Sequence, residues 1–342
     1  ISMRGQNNDL LTNISNGTLA ASWSDTAAGT LYSYSYLSFF GRGEYNYDGR
    51  YYVDFSLRTD ASSRFGKDNR WGAFWSVGLM WNLKKEKFLN ECKWLTTTRL
   101  ALSTGTSGNS DIGYYAWQSL VKGGMDMGET GIYPAQSGNP DLSWEKTWTT
   151  NLALHLGFWN RINLDVELYN KKTTDMLMDV PQSYAVNGSG SRWDNIGAMV
   201  NRGVEVMVNG DVIRTKDFSW NLSANFSYNK NKITELYNGV DEYEIASTNL
   251  MYVVGRSSTE FYINRYAGVN PANGDALWYT KDGEITTEFR DSDKVMTGKS
   301  FVAPWQGGFG TTLTWKGISL AAQFSWVADR WVFNNDRYLD EG

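Results

Sequence analysis

Apolar and polar residues alternate along most of this chain with a period of two. Downstream of Arg161, Ile162, Leu164, Val166 and Leu168 fall on one side, and Asn163, Asp165 and Glu167 fall on the other. A strand sends successive side chains to opposite faces, whereas a helix would scatter those carboxylates around its circumference. The preceding segment follows the same rule, with Trp148, Leu152, Leu154, Leu156 and Phe158 opposed to Thr149, Asn151, His155 and Gly157. Only Phe158-Trp159-Asn160-Arg161 separates the two patterns, a length that predicts a tight hairpin.

Phe218, Trp220, Leu222, Ala224, Phe226 and Tyr228 alternate with Ser and Asn, and Ile318, Leu320, Ala322, Phe324 and Trp326 alternate with Ser and Gln. Tyr51 to Leu57, Trp75 to Trp81 and Leu100 to Leu102 repeat the pattern. The expectation is an all-β, antiparallel structure of roughly ten strands, each near the nine to eleven residues that carry a tilted strand across a bilayer.

The connections fall into two classes. Short ones lie at Tyr47-Asp48-Gly49, Trp159-Asn160, 211–217 and Lys316-Gly317, with an intermediate one over 84–94. Long ones run over 62–69, 107–143, 175–192 and from 231 to about 303. Short turns on one rim and long loops on the other are the habit of outer-membrane barrels, whose long loops lie outside the cell. The apolar faces also end in aromatics: Trp75 and Trp81, Trp148 and Phe158, Trp220 and Tyr228, Trp315 and Trp326. In a barrel these form two interfacial girdles; in a soluble sandwich they would be core residues.

Composition narrows the choice. Aromatics reach 15%, with 16 Trp and 20 Tyr, side chains that favour boundaries between apolar and wet surroundings. The formal charge is -5, with 32 Lys and Arg against 37 Asp and Glu, so no basic face for a nucleic acid is expected. One Cys (Cys92) cannot make an internal disulfide, and one His (His155) leaves triads and His-ligated metals without their imidazoles. No stretch of about eighteen apolar residues is present, so no transmembrane helix is predicted. A mean hydropathy of -0.46 suits a barrel as well as a soluble protein, because half of each barrel strand is polar.

Candidate chemistry is sparse. Asp165 and Glu167 share a face, as hydrolytic carboxylates do, yet a hydrated lumen wall gathers polar residues in the same way. His155 lies in that register and is expected to be a solvated lumen residue, and Cys92 to be inert. Asn273-Gly274 and the acids Asp275, Asp291 and Asp293 lack the ligand spacing of a calcium loop and suit turns. Neither the glycines of 105–108 nor Gly41 and Gly43 precede the Lys-Ser/Thr of a phosphate loop. No catalytic residue, metal or cofactor is expected. The better functional candidates are Tyr114, Tyr115, Trp117 and Trp144, whose flat faces suit stacking on a sugar or a partner, or packing within their own loop.

Particular strings add a family likeness. Tyr47-Asp48-Gly49-Arg50-Tyr51-Tyr52, Arg58-Thr59-Asp60-Ala61-Ser62-Ser63-Arg64-Phe65-Gly66 and Asn69-Arg70-Trp71-Gly72 resemble the barrel of SusC/RagA-type TonB-dependent transporters. So do Gly108-Asn109-Ser110-Asp111-Ile112-Gly113, Asn139-Pro140-Asp141-Leu142-Ser143-Trp144-Glu145-Lys146 and Tyr169-Asn170-Lys171-Lys172-Thr173-Thr174-Asp175-Met176-Leu177. Asn195-Ile196-Gly197, Asn201-Arg202-Gly203-Val204-Glu205, Tyr266-Ala267-Gly268-Val269-Asn270-Pro271 and Gly307-Gly308-Phe309 complete the series in family order, over roughly 36–335.

The resemblance implies an outer-membrane barrel of about 22 strands in a Gram-negative bacterium, closed inside by a plug and covered by a SusD-like surface lipoprotein. It implies import of oligosaccharides, glycans or peptides, energised through TonB, with the wall against the lipid bilayer and lipopolysaccharide. Ile162, Leu164, Val166 and Leu168 would then face lipid, and His155, Asn163, Asp165 and Glu167 the lumen. Residues 1–342 are expected to form part of one barrel domain of a longer polypeptide, with the plug, the TonB-contacting segment and the remaining strands elsewhere. A passive porin or barrel adhesin shares the alternation, and a soluble all-β carbohydrate-binding protein remains a third reading.

Overall fold

The computed structural model describes residues 33–126, 129–183, 190–245 and 248–334. Ten strands pair side by side in one antiparallel sheet. In sheet order they are Tyr36–Tyr47, Tyr51–Ser62, Trp71–Asn82, Leu95–Asn109, Glu145–Phe158, Ile162–Thr174, Ala198–Arg214, Phe218–Glu235, Trp305–Trp315 and Ile318–Ala328. Each strand pairs with the wall strands nearest to it in the chain, so the sheet is an up-and-down meander. Among the described residues, helix is confined to single turns such as Lys87–Asn90.

The turn chemistry matches the meander. Asp48 and Gly49, Trp159 and Asn160, and Lys316 and Gly317 all have positive φ, as the type I′ hairpin turn requires. The turn expected over 211–217 is shorter than the sequence implied, because strand Ala198–Arg214 runs on through an irregularity between Asp211 and Ile213.

Register turns ten separate alternations into two continuous faces. Tyr45, Val53, Leu79, Leu102, Leu152, Leu168, Val204, Tyr228, Trp305 and Ala328 are successive ladder partners across all ten strands, and every one is apolar or aromatic. A neighbouring row on the opposite face reads Arg42, Ser56, Ser76, Gly105, Thr149, Lys171, Asn201 and Asn231. A one-residue slip of any strand would exchange its faces, so the apolar pattern itself specifies the register.

Among the described residues, no protein layer covers the apolar face. Leu79, Leu102, Leu152 and Leu168 are 47%, 44%, 42% and 49% exposed, values foreign to a sandwich core. The buried clusters lie elsewhere, among the long connections. Phe65, Ile112, Ala116, Leu142 and Trp144 pack with Phe74 of the wall, and Met178, Val180 and Leu236 pack with Ile233 at the end of its strand.

Those connections carry their own ladders, where the sequence indicated loops. Leu120–Asp126 pairs with Glu129–Gln136, Leu177–Pro181 with Ser191–Asn195, and Glu260–Ile263 with Val295–Ser300. Such pieces are too short to show a period by themselves. Side-chain amides staple them together: Asn195 accepts from the Ser143 amide at 2.6 Å and donates to the carbonyls of Ser143 and Asp175 at 2.8 and 3.0 Å. Gln136 Nε2 spans the carbonyls of Tyr115, Ala116 and Gln118. Gly66 is needed at its position because a Cβ there would lie 2.3 Å from the Pro140 carbonyl oxygen.

Candidate functional site

The polar face is recessed where it meets the long connections. A cavity of about 370 Å³ opens there, lined by Tyr36, Ser56, Arg58, Asp60, Ser107 and Trp144 among others. Alternation places Ser56, Arg58 and Asp60 on one face of strand Tyr51–Ser62. Arg58 Nε donates to both carboxylate oxygens of Asp60 at 2.8 and 2.7 Å, and its Nη2 donates to Ser38 Oγ at 3.2 Å. Asp60 is buried while the Arg58 side chain is half exposed, so a buried anion fixes a guanidinium that stays open to the cavity. The Tyr36 hydroxyl is hydrogen-bonded to Ser110, and its ring meets Trp144 edge-on at 5.9 Å. The lining thus offers a fixed cation, hydroxyls and aromatic edges, the chemistry that holds a polar solute.

The aromatic candidates separate into two roles. Trp144 is buried at 4% exposure in the loop core, and its indole N–H donates to the Arg70 carbonyl at 2.9 Å. Trp117 packs against the same core. Tyr115 holds a positive φ of 62°, and its hydroxyl lies 3.4 Å from Ser33 Oγ. Tyr114 is 37% exposed, and the Arg64 guanidinium sits over its ring at 5.2 Å and over Tyr34 at 4.7 Å. Arg64 also pairs with Asp111 at 3.1 Å. Trp144 and Trp117 therefore shape the site from within, while Tyr114 presents a face to solvent.

Further along the polar face lies a second recess of about 330 Å³, lined by His155, Asp165, Glu167 and Glu205 among others. Cross-strand register brings His155 opposite Asp165, with Nδ1 and Oδ1 2.6 Å apart, and sets Glu167 opposite Glu205. The sequence placed His155 among Thr and Asn; its carboxylate partner is visible only once the hairpin register is known. Asn163 is exposed and on the same face. Among the described residues no cluster of His, Cys, Asp or Glu is arranged to hold a metal ion.

The other sites flagged by sequence have structural surroundings. Lys84 Nζ donates to the carbonyls of Leu89, Asn90 and Cys92, closing the connector that carries the free thiol. Asn270 and Asn273 cap their own turn through the amides of Ala272 and Asp275. Asp293 accepts from the Lys281 amide at 3.1 Å, and Asp291 pairs with Lys294. Outside the strands, hydrogen bonds from Trp81 and then Tyr51 hold the Glu86 carboxyl below the usual carboxylate range.

Comparison with known proteins supplies the family. The chain is 35% identical over 281 residues to the TonB-dependent receptor SusC of Bacteroides thetaiotaomicron, covering 75% of this chain and 28% of SusC. It is 29% identical over 337 residues to the TonB-dependent receptor P26 of Formosa agariphila, covering 89% of the chain and 33% of that protein. The structure of the RagAB peptide transporter superposes with a TM-score of 0.82 at 40% identity, over 90% of this chain and 34% of that one. The "open-open" state of the RagAB peptide importer gives 0.82 at 38% identity, over 98% and 37%. The chain thus spans about a third of the length of these relatives. The family described as TonB dependent receptor-like, beta-barrel matches residues 4–342. With that match over an antiparallel wall of ten strands, the chain belongs to the TonB-dependent receptor β-barrel family of the outer membrane and is a SusC/RagA-type member of it.

Proposed function

We propose that this chain is part of the wall of an active importer, taking up oligosaccharides, glycans or peptides with energy supplied through TonB. The observation that carries the reading is the unbroken apolar row across ten strands, exposed on one side of a sheet whose other side is polar. Lipid is the surrounding that makes such a face stable, since exposed apolar area of that extent drives aggregation in water. On this reading Ile162, Leu164, Val166 and Leu168 face acyl chains, and His155, Asn163, Asp165 and Glu167 line the bore. Residues 1–342 then form part of a single barrel domain, and the protein makes no covalent change to its cargo.

Cargo contact is assigned to Tyr114 and to the cavity around Arg58, with Tyr115, Trp117 and Trp144 shaping the loop that holds them. A SusD-like lipoprotein over the long loops, as the resemblance in sequence implies, and TonB on the opposite side complete the machine; the dependence on TonB is carried in the name of the relative SusC. The test is uptake of labelled glycans and peptides by cells expressing the full-length protein. The proposal expects uptake that stops when TonB is deleted or the proton gradient is dissipated. Uptake that persists identifies a passive pore, and a full-length protein that partitions into water without detergent refutes the wall altogether.

A further inference from the structure

The apolar face changes character at the long-loop end. Beyond Leu168, Val204 and Tyr228 the same register continues with Asn170, Arg202 and Lys230, and then with Lys172, Val200 and Lys232. One step of that register is two residues, about 7 Å along a strand. The charged residues sharing this face along the ten strands are Lys146, Lys172, Arg202, Lys230 and Lys232, with Glu235 past the irregularity between Ala198 and Met199. Lys146 is matched by Asp175 at 3.7 Å. Lys172, Arg202, Lys230 and Lys232 are exposed, and none has an ion pair among the described residues.

Their placement is costly in isolation. Arg202 stands directly opposite Lys230, and like charges so paired repel. Asn170 Oδ1 accepts from Arg202 Nε at 2.8 Å, which orients the guanidinium along the wall without neutralising it. Trp148 and Tyr228, boundary-loving aromatics, flank the cluster in register with Lys172 and one step below Lys230. The chain as a whole carries a charge of -5, so a group of four unpaired cations is a local feature and no reflection of composition.

We propose that Lys172, Arg202, Lys230 and Lys232 form a docking patch for the phosphorylated headgroup of lipopolysaccharide in the outer leaflet. Phosphate supplies the missing negative charge and suits a guanidinium flanked by ammonium groups. The acyl chains of the same molecule would lie on the apolar rows directly below, so one lipid satisfies both parts of the face. The inference rests on the assignment of that face to lipid.

The test compares full-length protein with the variant Lys172→Gln/Arg202→Gln/Lys230→Gln/Lys232→Gln, purified from outer membranes in mild detergent, and measures lipopolysaccharide retained per barrel by mass spectrometry. Heat-modifiable migration on a denaturing gel confirms that each barrel is folded. Retention should fall by roughly fivefold for each charge removed, the factor corresponding to about 1 kcal/mol per basic residue at an anionic surface. A control, Lys216→Gln/Lys316→Gln at the short-turn rim, should retain the wild-type amount. Should the quadruple variant fail to fold, Lys230→Gln/Lys232→Gln is read in its place. Unchanged retention in a folded, membrane-embedded variant overturns the patch and leaves the lipid face standing; a variant recovered from the aqueous phase with the wild type overturns both.

Discussion

At Trp159 the backbone holds a φ of 51°, a region where a bulky side chain is strained. Trp94 and Phe158 lie 6.5 and 6.0 Å from its ring, and Asn160 takes the second left-handed position. Gly317, at φ 89°, meets the same demand without a side chain. Gly317→Val is therefore expected to destabilise the hairpin by about 1–2 kcal/mol in urea unfolding of the reconstituted protein. Glu86 gives a pH signature. Its pKa is lowered in the folded state, so its stabilising contribution is present above the unfolded carboxylate value and is lost as pH falls through the lower folded value. Hydrogen exchange of residues 83–93, corrected for intrinsic pH effects, should rise on acidification in the wild type and lose that dependence in Glu86→Gln. Single residues were the hardest scale to read from sequence. Trp144 stood out as an aromatic, and nothing in its neighbours announced that Phe65 and Phe74 would enclose it.

Among the elements, alternation was sufficient wherever one face is apolar. Strand Ile162–Thr174 follows its sequence pattern, with Leu164 and Leu168 set against Leu156 and Leu152 on one side and Val166 against Val206 on the other. The small hairpins were invisible because pieces of eight residues or fewer with mixed polarity carry no period, and long-range staples such as Asn195 set their positions. Asn195→Ala removes partners from Ser143 and from the Asp175 carbonyl, and should cost about 1–3 kcal/mol for the groups left unsatisfied. The readout is faster proteolysis or exchange across 139–144 and 175–197 while the wall stays protected. Within the wall, Leu164→Arg should cost about 2–4 kcal/mol near mid-bilayer, whereas Asp165→Arg should be tolerated. Equal costs in a folding titration would contradict the assigned faces.

For the whole molecule, the decisive property is that the cores of the described residues sit among the long connections while the apolar rows of the wall are exposed. A soluble protein inverts that arrangement. The asymmetry of turn lengths foretold which rim would carry the loops, and the resemblance in ordered strings foretold the family. The cavity around Arg58 was not foreseen, because it depends on strand Tyr51–Ser62 and the loop bearing Trp144 meeting across more than eighty residues of chain. Site-directed spin labelling of residues 161–169 in the full-length protein, with Cys92 replaced by Ser and reconstituted in lipid, reads which face of the wall meets lipid and which meets water. Collision with oxygen should peak at 162, 164, 166 and 168, and collision with a water-soluble nickel complex at 163, 165 and 167. Equal access of both quenchers along the strand, or the opposite alternation, would contradict a wall between lipid and water.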